Sequence, residues 1–320
     1  MIDTVGPGSL DGQHPNMRPI LKILFFVVAT LTLGCLLAPP LFWLGHAASS
    51  LSIFSELQNF EFHRYFNRAV LVAAALLVWP LLRSLGIRRW ADLGLTANRT
   101  RWRHLALGFG LASLGLWVAA GLMLAVGRAE WRASMAWDAL PGALLSAVVV
   151  ALIEESFFRG ALLGALRRRF SWLSALVVMS LVFASVHFLK PPPDVHFTVV
   201  TWTSGFVLVP QLFWQYGDPR LLAGGLLTLL LVGFVLGLTV VQTKSLYVAL
   251  GLHSGWVFAL KGFGQVARVG GEPTFWFGND LLTGLAPVLL VAATGVVVNV
   301  LLRTRQAGAA PPVPSSLSQP

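Results

Sequence analysis

Charge is what this sequence has least of. Asp, Glu, Lys and Arg together make up 11% of its 320 residues, 13 acidic against 23 basic. A soluble domain carries about 25% charged residues, so a water-facing surface cannot be assembled from so few. Cysteine is nearly absent too. The one cysteine, Cys35, excludes a disulfide framework and a cysteine zinc cluster. No internal repeat is visible. The net charge of +10 is not gathered into a patch: the basic residues are scattered between apolar segments. That distribution suits topology signals and contact with anionic lipid, and it argues against a nucleic-acid partner. What is abundant is apolar: 56% of the chain is hydrophobic, with a mean hydropathy of +0.74. Lipid is the solvent that fits this composition.

Runs of about twenty apolar residues are membrane-span candidates. Eight are present, at 20–44, 69–87, 105–126, 140–166, 172–189, 222–243, 245–263 and 281–302. They predict an all-α fold, a polytopic transmembrane bundle of about eight helices. The expected organisation is a flexible tail at 1–19, a single transmembrane domain over 20–302, and a flexible Pro/Ser/Ala-rich tail at 303–320. Met17 to Cys35 has a passing likeness to a lipoprotein signal. Thr32, Leu33 and Gly34 fit its cleavage pattern poorly, and apolar residues run on to Leu44. A retained first helix is therefore expected. With the N-terminus in the cytoplasm, the two densest basic clusters, 83–103 and 167–169, fall inside. An even number of spans then puts both termini in the cytoplasm, and a bacterial inner membrane is the expected location. The stretch 190–221 is long for a loop. It opens with Lys190-Pro191-Pro192-Pro193 and is again apolar around Phe213 and Trp214, which suits either a re-entrant gate or a loop resting on the membrane surface.

Few ionisable groups lie inside the runs. Of 13 carboxylates only Glu154 and Glu155 are well inside, of seven histidines only His187 and His253, and Arg159 is the one deep arginine. Each such charge costs roughly 2.5–3.5 kcal/mol on insertion scales, so packing alone does not explain them. Glu155 and Arg159 are four residues apart and share a helix face, where they can pair. Glu154 lies about 100° around the helix and is free to face something else. At a rise of ~1.5 Å per residue, Glu154 lies ~20 Å from Arg167, His187 ~27 Å from Arg169 and His253 ~13 Å from Lys244, all on the cytoplasmic side, so one cavity within the bilayer can receive all three. On these grounds three readings stand: a protease, an ion or proton path, and a structural polar cluster.

The residues carry three motifs in order. The first is Glu154-Glu155-Ser156-Phe157-Phe158-Arg159, the second Phe183-Ala184-Ser185-Val186-His187. The third runs from Ser245-Leu246-Tyr247 to His253, with Gly233-Phe234-Val235-Leu236-Gly237 upstream. Over about 140–260 this arrangement resembles the CPBP family of intramembrane proteases, which includes the CAAX proteases and the type II prenyl endopeptidase. The resemblance implies an endopeptidase that hydrolyses a peptide bond in a membrane protein or a lipidated peptide. In it Glu154 and His187 activate a water, His253 helps hold the oxyanion, and Glu155, Arg159 and Phe183 support them. No cofactor is expected; a divalent metal such as zinc, held by the same Glu and His residues, is the alternative. A transporter or a non-catalytic immunity scaffold is the alternative function. One position departs from the family pattern. Four residues after His253, where Asn or Asp is expected, stands Val257, which cannot donate a hydrogen bond. Trp256, on nearly the same face, carries an indole N–H that can. Asn299 in the last run is a more distant candidate donor.

Overall fold

The computed structural model describes residues 18–96, 99–217 and 219–308. Residues 1–17 and 309–320, expected as flexible tails, lie outside the described residues. Residues 18–19 and 303–308 are helical and continue the first and last helices.

Every predicted run is helical. The helices are α1 (Arg18–Ala48), α2 (Phe62–Ser84), α3 (Arg101–Ala125), α4 (Leu140–Glu155), α5 (Leu163–Leu166), α6 (Trp172–Val186), α7 (Ser204–Leu208), α8 (Pro219–Thr243), α9 (Tyr247–Val266) and α10 (Leu285–Gly308). Between α4 and α5 the chain winds as a π-helix over Ser156–Leu162. Two three-residue strands, β1 (Ala129–Trp131) and β2 (Ala267–Val269), pair antiparallel outside the bundle. The chain is an all-α polytopic bundle and an integral multi-pass membrane protein.

Six helical stretches among the described residues are long and apolar enough to cross a bilayer by themselves. The expected count of eight is not reached on that measure, for two separate physical reasons. Helix α6 has 15 residues, ~22 Å at the α-helical rise, short of the ~30 Å hydrocarbon core. Helix α9 has the length, 20 residues, but carries His253, Ser254, Lys261 and Gln265. It is the most enclosed helix of the bundle, with an unbroken buried stretch from Val248 to Trp256. A helix surrounded by protein answers to its neighbours rather than to lipid, so polar residues are tolerated there.

The interior helix is gripped through glycine. A Cβ on Gly255 would stand 2.6 Å from the Phe109 carbonyl oxygen, and one on Gly108 the same distance from that of Val248. Gly251 lies still closer, against the Leu105 carbonyl. Small residues at four-residue spacing thus let the backbones of α3 and α9 touch, as membrane helices do where no hydrophobic drive exists between them. On the other side of α9, α4 presents Ala143, Ala147 and Ala151, a stripe that ends at Glu155.

Part of the segment after α6 is buried. Gly205 of α7 packs against the backbone of Cys35, midway along α1, where a Cβ would stand 2.7 Å from Cys35 Cα. Leu208 and Leu212 are buried with Cys35, Ala38, Phe62, Phe66 and Ala69 in a second apolar cluster. The segment packs against α1 and α2 here.

Candidate active site

The α4 helix delivers both glutamates, and the π-segment that follows delivers Arg159. Widening the helix by one residue per turn shifts the side chains after Glu155, and such segments recur at functional sites. Arg159 Nη1 donates to Glu155 Oε1 at 2.9 Å, with both side chains fully buried. Its Nη2 donates to the Gly233 carbonyl of α8 at 3.2 Å, and the guanidinium lies 4.6 Å from the centroid of the Phe183 ring. Arg159 therefore ties α4, α6 and α8 together at one point. Gly233 stands in the stretch that the sequence singled out without a role. The role is a bare carbonyl, and the lack of a side chain lets α8 approach Ser180 and Phe183 closely.

Glu155 has a second partner. His253 Nδ1, on α9, lies 2.7 Å from the same Oε1. A charged carboxylate only accepts, so this nitrogen carries the hydrogen and Nε2 is turned the other way. His187, at the C-terminal end of α6, is fixed by the same logic. Its Nδ1 lies 2.7 Å from the Phe183 carbonyl oxygen, which also only accepts. Phe183 thus holds Arg159 with its ring and His187 with its backbone.

The two free ring nitrogens converge on one atom. His187 Nε2 stands 3.6 Å and His253 Nε2 3.7 Å from Glu154 Oε2. That oxygen is buried and accepts no hydrogen bond from the protein. The three side chains differ in access: Glu154 and His187 are about a quarter exposed, His253 only 5%. With each Nδ1 directed at its own acceptor, both Nε2 atoms face Glu154 Oε2.

Two cavities flank the site. One, about 330 Å³, lies between α1, α2, α4 and α6 and is lined by Glu154, Phe157 and Phe158 among others. The other, about 180 Å³, lies between α3, α8, α9 and α10 and is lined by His253, Trp256, Val257 and mostly aliphatic side chains. Trp256 is buried and its indole Nε1 has no hydrogen-bond partner. Asn299 is elsewhere, accepting from Gln242 Nε2 at 2.6 Å. No group of three or more His, Cys, Asp and Glu side chains among the described residues is placed to hold a metal ion.

The sequence missed three features of this site. The π-segment has no composition signal, since Ser156–Leu162 continues an apolar run. Gly233 acts through its backbone. Lys190 stands out in the sequence only by the prolines that follow it, yet it lines both cavities.

Residues 136–259 match the family model of Rce1-like proteins, described as type II CAAX prenyl endopeptidase Rce1-like. The match covers the segment that carries all three motifs and agrees with the resemblance read from them. No curated protein and no solved structure matches the chain. The matched family supports a membrane-embedded protease of the CAAX type, acting on peptide substrates from within a lipid bilayer.

Proposed function

We propose, from this Rce1-like segment as premise, that the chain is an intramembrane endopeptidase in which Glu154 is the general base. The supporting observation is the convergence of both histidine Nε2 atoms on a buried Glu154 oxygen that the protein itself leaves without a donor. A water that gives one hydrogen to Glu154 Oε2 and the other to His187 Nε2 keeps its lone pairs free for a peptide carbonyl. As it attacks, its proton passes to Glu154, which then delivers it to the leaving amine. His253 donates to the developing oxyanion only when Nε2 is protonated, because Nδ1 is committed to Glu155. The Glu155–Arg159 pair takes no part in bond making; it holds His253 and sets the helix spacing. A divalent metal held by the same Glu and His residues is the alternative, and the chelation arm of the test distinguishes it. The substrate class is a membrane-anchored or lipidated peptide, since the site lies among apolar helices.

The test uses purified protein in proteoliposomes and a fluorogenic peptide ending in an S-farnesyl cysteine followed by three residues. Wild type cleaves it, and the products are identified by mass spectrometry. Glu154→Gln, which keeps the shape and removes the base, lowers kcat by about 10²–10⁴-fold. Wild-type activity survives a strong chelator. Full activity in Glu154→Gln sinks the assignment, and loss on chelation with recovery on added zinc replaces it with metal chemistry.

A further inference from the structure

Of the three groups that meet at the site, His187 alone lies beyond the end of its helix. Glu154 stands in a helix that runs on through the π-segment to Leu166, and His253 stands inside α9. Helix α6 ends at Val186, one residue before His187. The chain that follows is a loose turn. The N–H groups of His187, Phe188 and Leu189 donate to the carbonyls of Ala184, Ser185 and Val186 at 3.2, 3.1 and 3.1 Å, three residues back rather than four. Turns of this kind finish helices and fray readily. The contact with Glu154 does not hold the turn, because 3.6 Å is too long for a hydrogen bond. The bond from His187 Nδ1 to the Phe183 carbonyl orients the ring on α6 and leaves the turn itself unsecured.

Two aromatic donors from another element bracket this turn. Both stand in the 3₁₀ helix over Pro210–Gly217. Tyr216 Oη donates to the Ser185 carbonyl at 2.5 Å, two residues before His187. Trp214 Nε1 donates to the Lys190 carbonyl at 2.9 Å, three residues after it. The donors are anchored in turn, since Leu212 of the same 3₁₀ helix is buried with Cys35, Phe62 and Phe66 of α1 and α2. Neither aromatic side chain lines either cavity beside the site, so contact with substrate is not what these bonds supply. Both side chains are exposed, and an exposed phenol or indole finds acceptors in water or lipid headgroups without a protein carbonyl. What the two bonds do supply is a fixed place for the residues on either side of His187, tied to a separate part of the bundle. A reacting group must be held within about 0.5 Å of its productive position, and a frayed turn does not do that unaided. Resting on the endopeptidase reading of the same site, we infer that Tyr216 and Trp214 are positioning residues that set His187 against Glu154 by clamping the end of α6.

The experiment uses the full chain in lipid nanodiscs, with the farnesylated peptide of the cleavage assay and histidine isotopically labelled at Cε1 for NMR. The His187 and His253 resonances are assigned from His187→Gln and His253→Gln. Tyr216→Phe removes only the hydroxyl and is expected to lower kcat about 10-fold. Tyr216→Phe combined with Trp214→Phe lowers it about 10²-fold, the cost of a misplacement of about 1 Å. KM stays near wild type in both, because neither side chain lines a cavity. In the double variant the His187 resonance broadens or splits, while that of His253, held by Glu155, is unchanged. Gln211→Ala is the control: its side chain donates to the Val207 carbonyl of its own segment, and its loss leaves kcat and both resonances as in wild type. A raised KM at unchanged kcat makes the aromatic pair a substrate contact and overturns the inference. A wild-type His187 resonance in the double variant overturns it whatever the kcat. So do resonances of His187 and His253 that change alike with a lowered melting temperature, which is general loosening. A double variant that displaces His187 alone, in a protein whose wild type cleaves nothing, upholds the clamp and counts against the endopeptidase reading alone.

Discussion

Glu154 and Glu155 are neighbours with opposite fates. Glu155 is fully buried, and one of its oxygens receives both Arg159 and His253. Glu154 faces two cavity-lining histidines and receives nothing from the protein. Substitutions at the two positions should therefore separate stability from activity. Arg159→Ala leaves a buried carboxylate uncompensated and costs about 3–5 kcal/mol of stability, together with activity. Glu154→Gln removes a charge that has no partner and leaves thermal stability near wild type while kcat falls. Thermal unfolding in detergent beside the cleavage assay checks the split; equal destabilisation by both makes the cluster a structural one. Trp256 offers a sharper test at the same scale. Its indole N–H is buried without a partner, a condition that costs about 1–3 kcal/mol. We propose that a substrate oxyanion in the adjoining cavity supplies that partner, in the place of the Asn or Asp expected where Val257 stands. Trp256→Phe is then expected to lower kcat by about 10²–10³-fold without lowering thermal stability, and Val257→Asn to raise or maintain kcat. A Trp256→Phe protein with wild-type kcat assigns Trp256 to packing.

Helices carry these groups, and their contacts set the geometry. Gly251 stands two residues before His253 and directly against the α3 backbone at Leu105. A larger residue there must push α9 away from α3, which moves His253 off its 2.7 Å contact with Glu155. Gly251→Val is expected to cost about 1–3 kcal/mol by overpacking and to depress cleavage more than unfolding alone explains. Gly264→Ala, at a position with open space around it on the same helix, is the control expected to be silent. The elements show why part of the site was legible in the sequence. A carboxylate, a histidine or an arginine in an apolar run is conspicuous, so Glu154, Glu155, Arg159, His187 and His253 stand out from composition alone. Four-residue spacing suffices to pair Glu155 with Arg159. Backbone features leave no such mark. The carbonyls of Phe183 and Gly233, the π-turn, and the approach of Gly205 to Cys35 come from residues that look ordinary in an apolar chain. The count of eight spans is not confirmed by length and composition, which give six among the described residues, because hydropathy reports the lipid-facing surface and α9 has little of it.

At the scale of the molecule, loop contacts reveal which connections share a face of the bundle. Ser245 Oγ donates to the Gly94 carbonyl at 2.8 Å, joining the α8–α9 turn to the loop before α3. At the opposite end β1, which follows α3, pairs with β2, which follows α9. Arg128 donates to the carbonyls of Gly270 and Gly278 on that same end. Helices α3 and α9 thus run parallel from one face to the other, and α9 crosses the bundle although its composition alone does not mark it as a span. The face that holds Gly94 and Ser245 also carries Arg88, Arg89, Arg99, Arg101 and Arg103 in or beside its loop. The excess of Lys and Arg in short loops sets orientation, so this face is proposed to be cytoplasmic and the two-stranded sheet to lie across the membrane. Reporter fusions after residue 45 and after residue 95 are expected to report opposite sides, the second cytoplasmic. A further fusion after residue 271, beside the sheet, is expected to agree with the first. Cytoplasmic signals from all three would break the alternation of faces that the paired loops describe. A cytoplasmic signal only at residues 45 and 271 would keep the bundle and invert it. The cavity holding Glu154 would then be reached from the other side of the membrane, and substrates would have to be sought there.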